Sequence, residues 1–138
     1  MWHGDWSFNF SFTLLIFILL YIMEYLANHQ IVEFNNCQES KIDNSSFIRK
    51  IFLKAAKLGN ATVVNECFHE FSPYGITGVL VIAESHISIH TWPENKYAAV
   101  DIFSCGSKVD CNKIIDYLKD KLKCKNFSST SINRGSYG

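Results

Sequence analysis

The sequence carries no surplus of charge. Thirteen Lys and Arg are matched by thirteen Asp and Glu, for a formal net charge of zero. There is therefore no basic surface to draw nucleic acid and no acidic tail to act as a solvating segment. It also lacks any CxxC pair. Its five cysteines, Cys37, Cys67, Cys105, Cys111 and Cys124, form an odd, scattered set. That scatter argues against a zinc ribbon and against a disulfide framework, and favours a reducing compartment. Apart from Cys105, they read as small buried hydrophobes or chance surface thiols. Repeats, Gly/Ser linkers and low-complexity tracts are absent as well, so no internal boundary appears beyond a join near Met23. What remains is a chain of 138 residues, 48% hydrophobic. That suits one domain with a modest core, or one subunit of an oligomer.

The N-terminus has one further gap. Phe10 to Met23, "FSFTLLIFILLYIM", has no charged residue, and no Lys or Arg precedes it. A membrane span wants about 20 apolar residues and a secretory signal wants basic residues ahead of its apolar run. Three readings compete: a membrane anchor or imperfect span at residues 10–23, a signal peptide, and an upstream extension outside the working protein. The extension, residues 1–27, is preferred, because ordinary globular patterning begins at "MEYLANHQIVEF" and Met23 is a plausible initiator. Residues 28–138 then form a single domain, expected in the cytoplasm.

Along that domain the patterning predicts a strand at Gln30–Phe34 and a polar connection at Cys37–Asn44. A helix follows, capped by Asn44, Ser45 or Ser46. Its inward residues are Phe47, Ile48, Ile51, Phe52, Ala55 and Ala56, and Gly59 lies just past its end. Ala61–Glu70 reads as a strand, broken by "FSPYG". "ITGVLVIAE" reads as a strand covered on both faces from Val79 to Ala83. "SHISIHTW" and Ala98–Phe103 follow as strands, the latter also buried. Asp110–Leu122 is a second amphipathic helix with Cys111, Ile114, Ile115, Leu118 and Leu122 inward, and a last strand lies within Asn126–Asn133. The order βαββββαβ predicts an α+β fold, a two-layer α/β sandwich of a mostly antiparallel sheet with two helices on one face.

The stretch "AESHISIHTWPE" sets polar His86, Ser88 and His90 against apolar Ile87 and Ile89. Two histidines four apart share a helix face and suggest a metal site. Strict alternation, Ser88 and Thr91, and the closing Pro93 make the segment a strand instead. His86 and His90 then stand about 13 Å apart, too far to ligate one ion, so no metal is expected. Ser85 opens this strand. A serine hydroxyl can attack the carbonyl of the residue before it, an N-to-O acyl shift. Elimination of the ester cuts the chain and leaves dehydroalanine, which loses ammonia to become a pyruvoyl group. Such a ketone condenses with a substrate amine as a Schiff base and takes up electrons from a breaking Cα–carboxylate bond. Spacing alone does not reveal this chemistry, since a serine at a strand start is usually structural.

"FSPYGITGVLVIAESHISIHTWPENKYAAVDIFSCG", Phe71 to Gly106, resembles the signature region of the short prokaryotic S-adenosylmethionine decarboxylases, pyruvoyl enzymes that supply the aminopropyl donor for spermidine synthesis. The likeness extends more weakly from "HQIVEF" to "SINRG", while Met1 to about Ala27 has no counterpart. The resemblance implies cleavage between Glu84 and Ser85, giving a β chain ending at Glu84 and an α chain beginning with pyruvoyl at Ser85. It implies that His90 accepts the proton in processing, a task an imidazole suits at neutral pH. It further implies that Thr77 stabilises the tetrahedral intermediate of the shift. By the same resemblance Cys105 returns a proton to Cα after carbon dioxide leaves, for which a thiol stays largely protonated. For S-adenosylmethionine, Phe71 and Trp92 are candidates to face adenine or the sulfonium, and Glu94 to accept the ribose hydroxyls. His86 and Ser88 line the pocket. The family's dimers of αβ units imply that some of these side chains come from a second copy. Two alternatives stay open: a pyruvoyl-dependent arginine or ornithine decarboxylase on the same scaffold, and an uncleaved binding or regulatory protein.

Overall fold

The computed structural model of the chain describes residues 25–135. The apolar run at 10–23, and with it nearly all of the expected extension, lies outside the described residues. Ala27, assigned to that extension, already belongs to the first strand. Six strands are formed: β1 (Ala27–Asn35), β2 (Val63–Glu70), β3 (Ile76–Ile82), β4 (Ser85–Trp92), β5 (Tyr97–Cys105) and β6 (Asn126–Arg134). They make one sheet in the order β2-β3-β4-β5-β1-β6, with every neighbouring pair antiparallel. The expected α+β sandwich is thus observed. No helix among the described residues is long and apolar enough to cross a membrane.

Two helices cover one face, and their sequences say why. In α2 (Ser45–Leu58) the Asn44 side chain accepts from the Phe47 amide at 2.9 Å, satisfying a donor the first turn leaves unpaired. Ile48, Ile51, Phe52, Ala55 and Ala56 recur at helical spacing and are all buried. In α3 (Cys111–Leu122) Asp110 plays the same capping part, and Ile114, Ile115, Leu118 and Leu122 point inward. These stripes meet Val32, Leu80, Ile87, Ile89, Val100 and Ile102, which the two-residue period of the strands places on one side of the sheet. Gly59 lets the end of α2 pass α3, because a Cβ there would lie 2.4 Å from Ile114 Cγ1.

Four expectations are corrected. The connection at Cys37–Asn44 contains a one-turn helix, α1 (Glu39–Ile42), held because Ile42 is fully buried against the core. The segment Val79–Ala83 is not covered on both faces: Leu80 and Ile82 are buried, but Val81 is 45% exposed. β5 likewise buries alternate residues rather than all of them. One face of the sheet is open in the single chain, and a continuous apolar run does not reveal which partner covers its second side. Finally, Cys37 and Cys124 are buried as expected of small hydrophobes, yet their sulfurs pair as a disulfide across a sequence separation of 87. The chain returns from α3 to the end of β1, where the Gln38 amide donates to the Leu122 carbonyl at 3.0 Å, so the topology brings the two thiols together.

Candidate active site

β4 is a strand, as its alternation predicts, with Ile87 and Ile89 buried under the helices and His86, Ser88 and His90 on the open face. The candidate residues gather at its two ends.

At the first end, β3 and β4 are joined by the two-residue turn Ala83–Glu84, with Ile82 paired to Ser85. Favoured two-residue hairpin turns place a positive φ within the turn, usually on Gly, Asn or Asp. Here neither turn residue does so, and the positive angle falls on Ser85, at φ +144°. An L side chain rarely adopts that angle, so the backbone is strained at the candidate nucleophile. The carbonyl of Glu84 accepts from the Cys105 amide at 2.9 Å. The Glu84 carboxylate is held three ways, by Lys108 Nζ at 2.6 Å, the Thr62 amide at 3.0 Å and Thr62 Oγ1 at 3.2 Å. The Lys108 bond first, then the Thr62 amide, hold its carboxyl down at about 2 against the opposing effect of burial. Ser85 Oγ lies 3.4 Å from His86 Nδ1, and the His86 ring stacks on Phe103. The Cys105 thiol is free and exposed.

At the other end a cleft of about 340 Å³ is lined by Phe71, Tyr74, Thr77, His90, Trp92 and Glu94, among others. Thr77 and His90 face each other across β3 and β4, with Thr77 Oγ1 2.9 Å from His90 Nδ1. Phe71 and Trp92 are half exposed at the cleft, so part of each ring can meet a ligand. Trp92 rests on the Tyr97 ring at 5.4 Å, and Tyr97 donates to the Glu33 carboxylate. Burial, that hydrogen bond and the charge of Glu33 push the Tyr97 hydroxyl up to about 12. The mouth is shaped by Gly75, whose φ of +102° turns the chain and whose amide donates to Asp43 at 3.0 Å.

Within one chain, then, Glu84, Ser85 and Cys105 are together, and Phe71, Thr77, His90, Trp92 and Glu94 are together. The two groups are not. Five residues of strand separate Ser85 from His90, roughly 16 Å. Thr62, Lys108, Tyr74 and Tyr97 were not singled out by sequence. Tyr74 stands within "FSPYG", but nothing local marks Thr62 or Lys108, which reach Glu84 from 22 and 24 residues away. No group of three or more His, Cys, Asp or Glu placed to hold a metal occurs among the described residues.

Comparison with known proteins sets these clusters in a family. The pattern of the S-adenosylmethionine decarboxylase family matches residues 28–135. An S-adenosylmethionine decarboxylase proenzyme of Thermosipho melanesiensis is 48% identical over 115 residues, covering 83% of this chain and 88% of the relative. One of Pyrococcus furiosus is 45% identical over 113 residues, covering 82% and 81%. The crystal structure of the adenosylmethionine decarboxylase from Aquifex aeolicus superposes with a TM-score of 0.77 at 34% identity, covering 83% of this chain and 95% of that one. The order of strands, the two-helix cover and the sequence from one end of the sheet to the other agree with this match, and the chain belongs to the S-adenosylmethionine decarboxylase family.

Proposed function

We propose that this chain is a proenzyme that cuts itself between Glu84 and Ser85, and that its Ser85-derived pyruvoyl group decarboxylates S-adenosylmethionine to the aminopropyl donor used in spermidine synthesis. The carrying observation is the Glu84–Ser85 linkage itself. Its carbonyl is polarised by the Cys105 amide and its serine is held at φ +144°. A serine there fits the family's internally built ketone, because attack by Ser85 Oγ relieves a strained backbone and the amide is placed where negative charge develops on the carbonyl oxygen.

In the cut, Ser85 Oγ bonds to the Glu84 carbonyl carbon as the C–N bond breaks, giving an ester and a free Ser85 amine. His90 takes the Ser85 Cα proton, the Ser85 Cβ–Oγ bond breaks as the Cα–Cβ double bond forms, and Glu84 leaves with a new main-chain carboxylate at its C-terminus. Tautomerisation, addition of water and loss of ammonia complete the conversion. A ketone built at Ser85 would supply an electron sink for the breaking Cα–carboxylate bond of a substrate joined to it through its amine. Cys105 Sγ then returns a proton to Cα, Phe71 and Trp92 stack on adenine or flank the sulfonium, and Glu94 accepts from the ribose hydroxyls.

The distance of roughly 16 Å between Ser85 and His90 is too long for direct proton transfer, which needs heavy atoms about 3 Å apart. The site is therefore assembled from two copies facing each other through the open side of the sheet. There the Ser85 end of one β4 meets the His90 end of the other, and Val81 and its neighbours gain cover. The working domain takes in Ala27, the first residue of β1, and the extension ends before it. The cytoplasm suits a proton donor that must stay a thiol at Cys105.

One preparation tests the reading. Intact mass of the reduced protein after treatment with a carbonyl-trapping reagent should show two fragments, with the trap on the one beginning at residue 85. Labelled carbon dioxide should be released from S-adenosylmethionine and not from arginine or ornithine. Active protein with an unbroken Glu84–Ser85 bond would overturn it.

A further inference from the structure

The Glu84 side chain is bound more thoroughly than a turn residue requires. A glutamate in a tight hairpin turn is ordinarily solvated, yet this carboxylate is only 9% exposed and has three donors. The donors come from the two segments flanking the turn. Thr62 precedes β2, and its carbonyl also accepts from the Ala83 amide at 2.8 Å. Lys108 follows β5, three residues beyond Cys105, whose amide holds the Glu84 carbonyl. Lys108 Nζ also donates to Thr62 Oγ1 at 2.7 Å, so the ammonium, the hydroxyl and the carboxylate close one network. Main chain and side chain of Glu84 are thus pinned from opposite sides, immediately before the residue that bears the unusual φ.

We propose that Lys108 and Thr62 are positioning residues for self-cleavage: by gripping the Glu84 carboxylate they keep the carbonyl of that residue on the Cys105 amide and Ser85 at its left-handed angle. This rests on the Glu84–Ser85 assignment and extends it to residues outside the signature stretch. The physical reason is preorganisation. A free turn of this length, lacking glycine, relaxes by rotating the Glu84–Ser85 peptide plane, which takes the carbonyl off its donor and the hydroxyl off its line of attack. A charge-assisted grip on the side chain opposes that rotation at low cost, because the carboxylate stays ionised far into the acid range. The grip matters before the cut and not after it, when the carbonyl no longer belongs to a peptide bond.

The test follows cleavage of freshly synthesised full-length proenzyme on reducing gels, with the cut mapped by mass. Lys108→Met should cleave roughly tenfold to a hundredfold more slowly. Its slow material should still cut at Glu84–Ser85, and its turnover per trapped carbonyl should equal that of the wild type. Lys108→Arg should restore most of the rate. The acid limb of the cleavage rate should move to higher pH in Lys108→Met, as Glu84 is protonated more easily without the ammonium; a variant merely loosened elsewhere does not shift it. Thr62→Val, which keeps the amide and removes the hydroxyl, should slow the cut by a smaller factor and serves if Lys108→Met does not fold. Cleavage at the wild-type rate in both Lys108→Met and Thr62→Val, or equal failure of Lys108→Arg and Lys108→Met, overturns the clamp and leaves the Glu84–Ser85 assignment standing. A cut mapped to another bond overturns that assignment, and the clamp with it.

Discussion

Position 105 offers two different groups, and the proposed function uses each in a different reaction. Its amide faces the Glu84 carbonyl in the intact chain, while its thiol is free and exposed. Cys105→Ala keeps the first and deletes the second. It should therefore still self-cleave, while decarboxylation falls by about a hundredfold or more and the trapped-carbonyl signal decays during turnover as protons return to the wrong atom. Arrest of the cut in this variant would show that the sulfur is needed earlier. Glu84 gives a prediction about acid. Its carboxyl is held at about 2, below the ordinary 4.5, so its contribution to folding is complete above pH 4.5 and is lost as the pH falls toward 2. With Lys108 half in solvent that contribution is on the order of 1 kcal/mol. Acid titration of the uncleavable Ser85→Ala chain, with and without Lys108→Met, should show the two stability curves converging below about pH 3. Glu84, Ser85, His90 and Cys105 were legible as candidates because one continuous stretch resembles the family's signature region. Thr62 and Lys108 were not, because they earn their place only by folding back on Glu84 from more than twenty residues away.

Among the elements, the alternation in "SHISIHTW" was enough to rule out a helix, and β4 is the strand it predicted. The helices were equally plain, since cap and apolar stripe coincide at Asn44 and Asp110. The run "VLVIA" misled because Val81 is as apolar as its buried neighbours, and hydrophobicity alone does not distinguish a face covered by helices from one left open. Where α2 ends, Gly59 has an ordinary φ of −80°, so its role is one of space and not of backbone freedom. Gly59→Ala should drive a methyl into Ile114 and cost about 1–3 kcal/mol in thermal or denaturant unfolding. Gly59→Ala combined with Ile114→Val should recover part of that loss. An unchanged melting curve for the single variant would mean that the two helices separate more readily than their packing suggests.

For the molecule as a whole, the governing fact is that β4 carries the candidate nucleophile Ser85 at one end and the candidate base His90 near the other. Co-expression of Ser85→Ala with His90→Ala chains distinguishes a two-copy site from a hidden rearrangement. Neither variant should cut alone. Together, the His90→Ala chains should be cut and the Ser85→Ala chains left whole, because each intact half comes from a different molecule. Absence of cutting in the mixture would count against a shared site.

The pairing of Cys37 with Cys124 acquires a new meaning once the chain is severed. One sulfur lies upstream of Ser85 and the other downstream, so the disulfide yokes the two pieces together after the peptide link is gone. Fully processed, oxidised protein should migrate as a single species in detergent until a thiol reagent is added, and only then fall into its two parts. If the pieces separate without reductant, the yoke is absent from the mature protein and the strands of the shared sheet alone keep its halves in register.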